Sequence, residues 1–364
     1  MNNMNHLTII IKPTVLCNCQ CKYCITPKEI PHSRMPLEIV EKLCKSLSAS
    51  KIYDSFCFIW HGGEPLLMGI DFYESVIKIQ TKFFDKRSFI NTFQSNCTLI
   101  NDEWINFFKK YRIRVSTSLD GDRGLHDINR LKNGKGTFVE TINNVLKLKQ
   151  ERLLAGVVTV LSKTNIQHID KIISYFASQN ISTRLNPILP CERVDEQEDL
   201  SITPNDYAEC LINCFDNWID GKYENGDKIA IAPLTEIIYN MTHPDTPRLC
   251  SFSGKCGENF LAINPDGDIY NCGRFCDIDN FKIDNIKNID VIDDIIGVKK
   301  SLIRWNNENE DGGNCKDCEW FSICNKGCPN TSYLYYGEIK DKDPYCSAYK
   351  KIFAHIYTRL QKEI

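Results

Sequence analysis

Residues 7–24 read LTIIIKPTVLCNCQCKYC. A β-branched apolar run, Leu7–Lys12, is followed by four cysteines, Cys17, Cys19, Cys21 and Cys24. The run has the composition of a strand. The cysteines therefore sit at the strand's carboxyl end, where open α/β sheets and barrels keep their chemistry. Thiolates at such short spacing select soft metals: zinc, copper(I) or iron–sulfur clusters. Four thiolates close a [4Fe–4S] cluster for electron transfer, whereas three leave one iron open. Cys17 and Cys19 are only two apart, closer than the usual C-x2-4-C zinc spacing. A four-thiolate zinc site and a set of redox cysteines stand beside the three-thiolate reading.

Further along, the same kind of run recurs as SFCFIW (55–60), SFINTF (88–93), IRVSTSL (113–119), AGVVTVL (155–161) and ISTRLNP (181–187). Amphipathic stretches at helical spacing lie between them, among them 35–50 and 138–152. Strands alternating with helices predict a parallel sheet. Six such units are too few for a closed eight-stranded barrel and suit a partial (β/α)6 TIM barrel over residues 1–240. The boundary is placed after a helix expected to begin around Ile231. From residue 241 to 364 turns, acidic residues and cysteines take over, so metal sites are expected to supply much of the folding energy of a segment with a thin core. The stretch 347–364 closes the chain as a helix.

Composition narrows the class. The 364 residues are 42% hydrophobic and 25% charged, as in a soluble globular protein, and the net charge of -3 argues against a general nucleic-acid binder. No stretch approaches the roughly 18–20 apolar residues of a membrane span, and the N-terminus lacks an export signal. Nineteen cysteines without such a signal point to the cytoplasm and to metal rather than to a disulfide scaffold.

The first four strands each end in a motif. The C-x3-C-x2-C spacing of Cys17, Cys21 and Cys24, with Tyr23 before the last cysteine, resembles the signature of the radical S-adenosylmethionine (SAM) superfamily. The second strand ends in WHGGEP, and Gly62, Gly63, Glu64 and Pro65 look like that family's glycine-rich motif for the methionine amino group of SAM. Glycines allow close backbone approach, and a carboxylate suits an ammonium. FQSNCTL, with Gln94, Asn96 and Thr98, is similar to the family's third motif, although Cys97 replaces its usual glycine. At the end of strand four, Ser118 and Asp120 match positions that bond the SAM ribose or order the loop. Arg130, in LHDINR, is expected to pair with the SAM carboxylate, with Glu64, or in a surface ion pair. The resemblance implies an open iron chelated by SAM and a 5′-deoxyadenosyl radical made on reduction. The cofactor carries the hard step and the protein positions and shields it.

A second cysteine group comprises Cys250, Cys256, Cys272, Cys315, Cys318, Cys324, Cys328 and Cys346. Their pairs also suit a zinc ribbon. Behind a radical SAM core they resemble the SPASM extension, which implies two auxiliary [4Fe–4S] clusters. By position, Cys250, Cys256, Cys272 and Cys328 would hold auxiliary cluster I, and Cys315, Cys318, Cys324 and Cys346 auxiliary cluster II. That makes three clusters plus SAM. Of the other cysteines, Cys44, Cys57, Cys210 and Cys214 fall in helix or strand patterns as small core residues. Cys191 and Cys276 are candidate reactive thiols, and Cys19 is expected to point away from the cluster.

Enzymes of this layout mostly modify peptides or proteins, forming a C–C, C–O or thioether crosslink, an epimer or an oxidised residue. A reductant such as flavodoxin or ferredoxin is implied. The layout also resembles the anaerobic sulfatase-maturing enzymes, which oxidise Cys or Ser to formylglycine. In those enzymes an aspartate, thought to be the base, follows the third auxiliary-I cysteine. Here Gly273 stands there and Asp277 lies four residues on, as a displaced candidate base. A related peptide maturase is therefore the preferred expectation. Only six residues precede the first strand, so a separate leader-peptide-binding protein is a possible partner. The other readings are a radical SAM enzyme for a small molecule and a non-catalytic iron–sulfur or zinc protein. Neither nucleic acid nor membrane is expected as a partner.

Overall fold

A computed structural model describes residues 5–26, 34–84, 87–190, 200–254, 256–303, 315–339 and 342–362. Six parallel strands run through its first half: β1 (His6–Ile11), β2 (Ser55–Trp60), β3 (Ser88–Ser95), β4 (Arg114–Ser118), β5 (Leu154–Leu161) and β6 (Thr183–Pro187). Helices α1 (Leu37–Ser48), α2 (Ile70–Phe83) and α3 (Asp102–Tyr111) follow β1, β2 and β3; both α4 (Arg123–Asn129) and α5 (Phe138–Gln150) follow β4, and α6 (Ile169–Ser178) follows β5. Each strand alternates. Leu7, Ile9 and Ile11 of β1 are fully buried beneath the helices, while Thr8 and Ile10 are half-buried on the other face.

The layer between sheet and helices is aromatic around β2 and β3. Tyr73 on α2 meets Trp60 at 5.2 Å and Phe93 at 4.8 Å between ring centroids, in edge-to-face geometry. Its hydroxyl donates to the Pro65 carbonyl at 2.8 Å. The packing of α2 thus fixes the turn that leaves β2.

The helix expected around Ile231 begins later. Ile231–Ala232 form β7, parallel to β6, and the helix runs Leu234–Thr242. The residue before a proline is pushed towards extended backbone, so Pro233 starts the helix rather than lying within it. Past residue 240 the sheet continues: β8 (Phe260–Ile263) pairs in parallel with β1, followed by antiparallel β9 (Asp268–Tyr270) and β10 (Lys282–Asn285). The order is β10-β9-β8-β1-β2-β3-β4-β5-β6-β7. The cysteine-rich segment therefore extends the open edge of the barrel. Helix α7 (Pro204–Ile219) packs against the C-terminal helix Cys346–Lys362, through Phe215 against His355 and an Asp216–His355 contact of 2.7 Å. Cys44, Cys210 and Cys214 are buried and Cys57 is half-buried, as small core residues. Cys191 lies outside the described residues.

Candidate active site

The loop after β1 carries Cys17, Cys21 and Cys24 and is held from two sides. On one, the Gly63 N–H donates to the Thr14 carbonyl at 3.0 Å and the Glu64 N–H to the Leu16 carbonyl at 2.8 Å. Both glycines are required there. A Cβ at Gly63 would lie 2.1 Å from the Leu16 carbonyl oxygen. Gly62 has φ +110, and a Cβ on it would meet the Thr14 oxygen at 2.7 Å. On the other side, Gln20 and Lys22 donate N–H bonds to the Leu131 and Asn129 carbonyls at 2.7 and 2.9 Å. Asn96, just past β3, donates to Asn18 at 2.9 Å and lies 3.8 Å from the Cys17 sulfur. Thr98 bonds to Asn96 and Asn18. Cys97 adopts φ +61 while fully buried, so it takes the left-handed backbone that the glycine of the resembled motif would take.

Glu64 points inward. One oxygen accepts from Leu66 N–H at 3.1 Å and Ser95 Oγ at 2.8 Å, the other from Asn96 N–H at 2.8 Å. Burial pushes its carboxyl up to about 7, against the pull of those bonds. Its carboxylate thus ties the end of β2 to the end of β3, where the motif suggests an ammonium partner. Pro65 opens a short 3-10 turn, Pro65–Met68, for which Glu64 is the N-cap.

Arg130 pairs with Asp120, and not with Glu64. Its Nε and Nη2 reach the two Asp120 oxygens at 2.8 and 3.4 Å, in a buried rather than a surface ion pair. Burial works against the Arg130 charge, and Asp120, Tyr23 and Cys21 together more than offset it. Asp120 also accepts from the Tyr23 hydroxyl and from Val160 N–H at 3.0 Å. The guanidinium stacks over the Tyr23 ring at 5.1 Å and reaches the Cys21 sulfur at 4.0 Å. Asp120 therefore orders the cysteine loop from within. His126, which burial pulls down to about 4, stays neutral behind it. Ser118 and Gln94 remain half-buried and bond to each other at 3.3 Å.

Cys19 does not turn away. It is buried, its N–H donates to the Cys17 sulfur at 3.4 Å, and a side-chain hydrogen bond with Cys17, then burial, raises its thiol pKa. Burial pushes Cys21 up to about 11, with Arg130 opposing and Cys24 and Cys17 as charged neighbours. Ligation by a metal is what would ionise such thiols.

The remaining thiols divide into two groups. Burial raises the pKa of Cys256, whose charged neighbours are Cys272, Cys328 and Cys250. Burial likewise raises Cys324, whose charged neighbours include Cys346, Cys315 and Cys318. The second group lines a cavity of about 290 Å³ with Trp320, Lys326, Lys342 and Lys350. Among the described residues, no three His, Cys, Asp or Glu side chains converge closely enough to hold a single metal ion.

The turn 272–277 folds back against β1. A Cβ on Gly273 would lie 3.0 Å from Ile10 Cγ2, a tight contact that a small shift of that side chain would relieve. Asp277 is occupied, with Lys12 Nζ at 3.2 Å on one oxygen and Asn264 Nδ2 at 2.6 Å on the other. Both of its oxygens are thus engaged within the turn. Cys276 is buried, and burial pushes its thiol up to about 12, so the structure gives it no reactive character.

Three residues lie outside the motifs. Asp343, raised by burial to about 6, accepts from Cys328 N–H and Tyr345 N–H at 2.8 Å each and so joins the two thiol groups. Arg274 places Nη1 3.9 Å from the Cys328 sulfur, and Lys299 is buried beside Cys256. Asp343-Pro344 before Cys346 is a readable turn signal. Nothing local marks the other two.

The pattern of the radical SAM superfamily matches residues 11–176. A cysteine-type anaerobic sulfatase-maturating enzyme of Clostridium novyi (strain NT) is 30% identical over 378 residues, 98% of this chain and 97% of that protein. The chain belongs to the radical SAM superfamily and is a radical SAM enzyme. Among solved structures, native anSMEcpe with bound AdoMet superposes with a TM-score of 0.86 at 24% identity, covering 98% of each chain. Streptococcus suis SuiB bound to the precursor peptide SuiA gives 0.65 at 15% identity, over 94% of this chain and 76% of that one. These two likenesses concern the fold, an α/β barrel continued by a cysteine-rich C-terminal segment.

Proposed function

We propose that this chain is a radical SAM maturase that removes a hydrogen atom from a residue of a peptide or protein, leaving a crosslinked, epimerised or oxidised product. The observation that carries the reading is the grouping of eleven thiols as three, four and four. The three stand at the strand ends, against the glycines of GGEP, with Cys19 beside Cys17 in the same loop. In this reading Cys17, Cys21 and Cys24 hold a [4Fe–4S] cluster with one iron left for SAM. Cys250, Cys256, Cys272 and Cys328 hold a second cluster, and Cys315, Cys318, Cys324 and Cys346 a third. The fit rests on the donor set: soft thiolates in fours, the ligand type and number that close a [4Fe–4S] cluster. When bound, the first cluster and SAM supply a 5′-deoxyadenosyl radical on one-electron reduction, and that radical takes the hydrogen.

The chain's own residues do the rest. Gly62 and Gly63 bring backbone polar groups up to the cysteine loop, and Glu64 holds that turn to β3. Tyr23, Asp120 and Arg130 fix the loop's inner wall, and Pro65 fixes the start of α2. Gln94, Asn96 and Ser118 offer amide and hydroxyl groups to the polar parts of SAM. We place the enzyme in the cytoplasm, with flavodoxin or ferredoxin as reductant. A separate protein would deliver a peptide leader. The likeness to SuiB with its precursor peptide, and the name of the Clostridium relative, support a polypeptide substrate.

Formylglycine formation on a sulfatase Cys or Ser is the second reading, favoured by the full-length match to the Clostridium maturase. Gly273, and the engagement of Asp277 by Lys12, stand against a carboxylate base in the place expected for that reaction. Co-expression with a peptide encoded beside this gene, and separately with a sulfatase, followed by mass spectrometry, decides. The proposal expects the peptide to lose the mass of two hydrogen atoms or to gain deuterium from D2O. An unchanged peptide with a converted sulfatase overturns it in favour of the second reading.

A further inference from the structure

The three thiol groups differ in the cations around them. Beside the triad, Arg130 reaches Cys21, yet its charge is neutralised by Asp120 in a paired, buried contact of 2.8 Å. Around the group lining the 290 Å³ cavity, Lys326, Lys342 and Lys350 stand at an opening to solvent, where water screens charge. The group of Cys250, Cys256, Cys272 and Cys328 is different. Arg274 Nη1 lies 3.9 Å from Cys328 Sγ, and its charged neighbours include Cys328, Cys250 and Cys272, with the buried Asp343 carboxylate felt from beyond ion-pair distance. The buried Asn330 amide donates to the Arg274 carbonyl at 3.1 Å and fixes its backbone. Lys299, only 1% exposed, stands near Cys256; its Nζ meets the Glu258 carbonyl at 3.5 Å, whereas the Glu258 carboxylate goes to Lys300 at 3.0 Å. Among the described residues no carboxylate comes within ion-pair distance of Arg274 or Lys299, although Glu258 and Asp343 act on them from farther off. Two cations without a close carboxylate partner thus approach one thiol group from different segments.

A buried cation needs a negative counterpart, and four thiolates on an iron–sulfur cluster provide one. Positive charge and N–H donors near the sulfurs favour the reduced, more negative form and raise the potential. We infer that Arg274 and Lys299 are positioning residues that set the cluster held by Cys250, Cys256, Cys272 and Cys328 at the highest reduction potential of the three. The inference rests on the proposal that this group holds a cluster. It gives this chain, with Gly273 before Arg274, a built-in electron sink beside the turn that folds against β1.

The test is a redox titration of the anaerobically reconstituted full-length enzyme, followed by electron paramagnetic resonance, together with R274Q, R274K and K299Q. Iron is counted in every sample. In R274Q the highest of the three midpoints falls by a tenfold change in the reduction equilibrium, 59 mV for one electron, and the other two stay. R274K, which keeps the charge, falls by less than R274Q. K299Q moves the same midpoint in the same direction. Unmoved midpoints in R274Q and K299Q, an equal fall in R274K and R274Q, or a shift shared by all three clusters overturns the inference. Should R274Q lose iron, retention of the cluster in R274K supports the role of the charge, and its loss there too overturns it. A parent enzyme holding only about four irons fails the cluster proposal itself, a result distinct from a full complement with unmoved potentials.

Discussion

Asp120 is the acceptor on which the cysteine loop closes, so its removal has a calculable result. The carboxylate is fully buried and accepts from Arg130 at 2.8 and 3.4 Å, from Val160 N–H at 3.0 Å and from the Tyr23 hydroxyl. Asp120→Ala leaves a guanidinium that is 9% exposed without its counter-charge, a loss of about 3–5 kcal/mol. Arg130→Met strands the carboxylate and costs about the same. The double variant removes both charges and so escapes most of the second penalty. Its destabilisation should fall short of the sum of the singles by at least about 2 kcal/mol. Urea unfolding of the four iron-free proteins under reductant measures this, provided the urea dependence has a common slope. Destabilisations that add to within about 0.5 kcal/mol would refute the coupling, and with it the idea that this ion pair orders the loop from inside.

Three other outcomes follow from the same geometry. Gly63→Ala forces a Cβ to 2.1 Å from the Leu16 carbonyl oxygen; reconstituted protein should lose SAM binding by equilibrium dialysis while far-UV circular dichroism keeps its helical signal, and unchanged binding would contradict the close-approach role. Glu64 rises from an ordinary 4.5 to about 7 on burial. The folded state then holds more protons than the unfolded one between those values, and stability falls as pH rises through the window, by on the order of 3 kcal/mol. Glu64→Gln should flatten that slope in urea titrations between pH 5 and 8, and an unchanged slope counts against it. Asp277→Asn should keep product formation within about tenfold, short of the loss a missing general base brings, because Lys12 and Asn264 already engage both Asp277 oxygens; loss of product with deoxyadenosine still made would restore Asp277 as the base.

Much of the fold and of the first loop is legible in the amino-acid sequence, because the signals are local. The six barrel strands are runs of β-branched and aromatic residues, and each of the first four is followed by its motif within a few residues. The grouping of Cys250 with Cys328, and of Cys346 with Cys315, comes from resemblance and not from spacing. What the sequence hides are facts of tertiary placement. Whether Arg130 meets Glu64 or Asp120 depends on which way the chain turns as it leaves α4. That Glu64 faces inward follows from the donors Ser95 and Asn96 at the end of another strand. The pairing of Phe260–Ile263 with β1 joins segments some 250 residues apart, and a change of composition near residue 240 says nothing of it. Arg274 and Lys299 carry ordinary charges in ordinary-looking segments, and only burial beside thiols sets them apart.

The central claim is that three thiolates of the first loop hold a cluster that makes a radical from SAM. The direct measurement is 5′-deoxyadenosine released on reduction of the anaerobically reconstituted enzyme, alongside Cys19→Ser and Cys21→Ser. Deoxyadenosine is expected from the parent and from Cys19→Ser, with about twelve irons per chain, and none from Cys21→Ser. Deoxyadenosine from Cys21→Ser but not from Cys19→Ser, or none from a fully loaded parent, would contradict that claim.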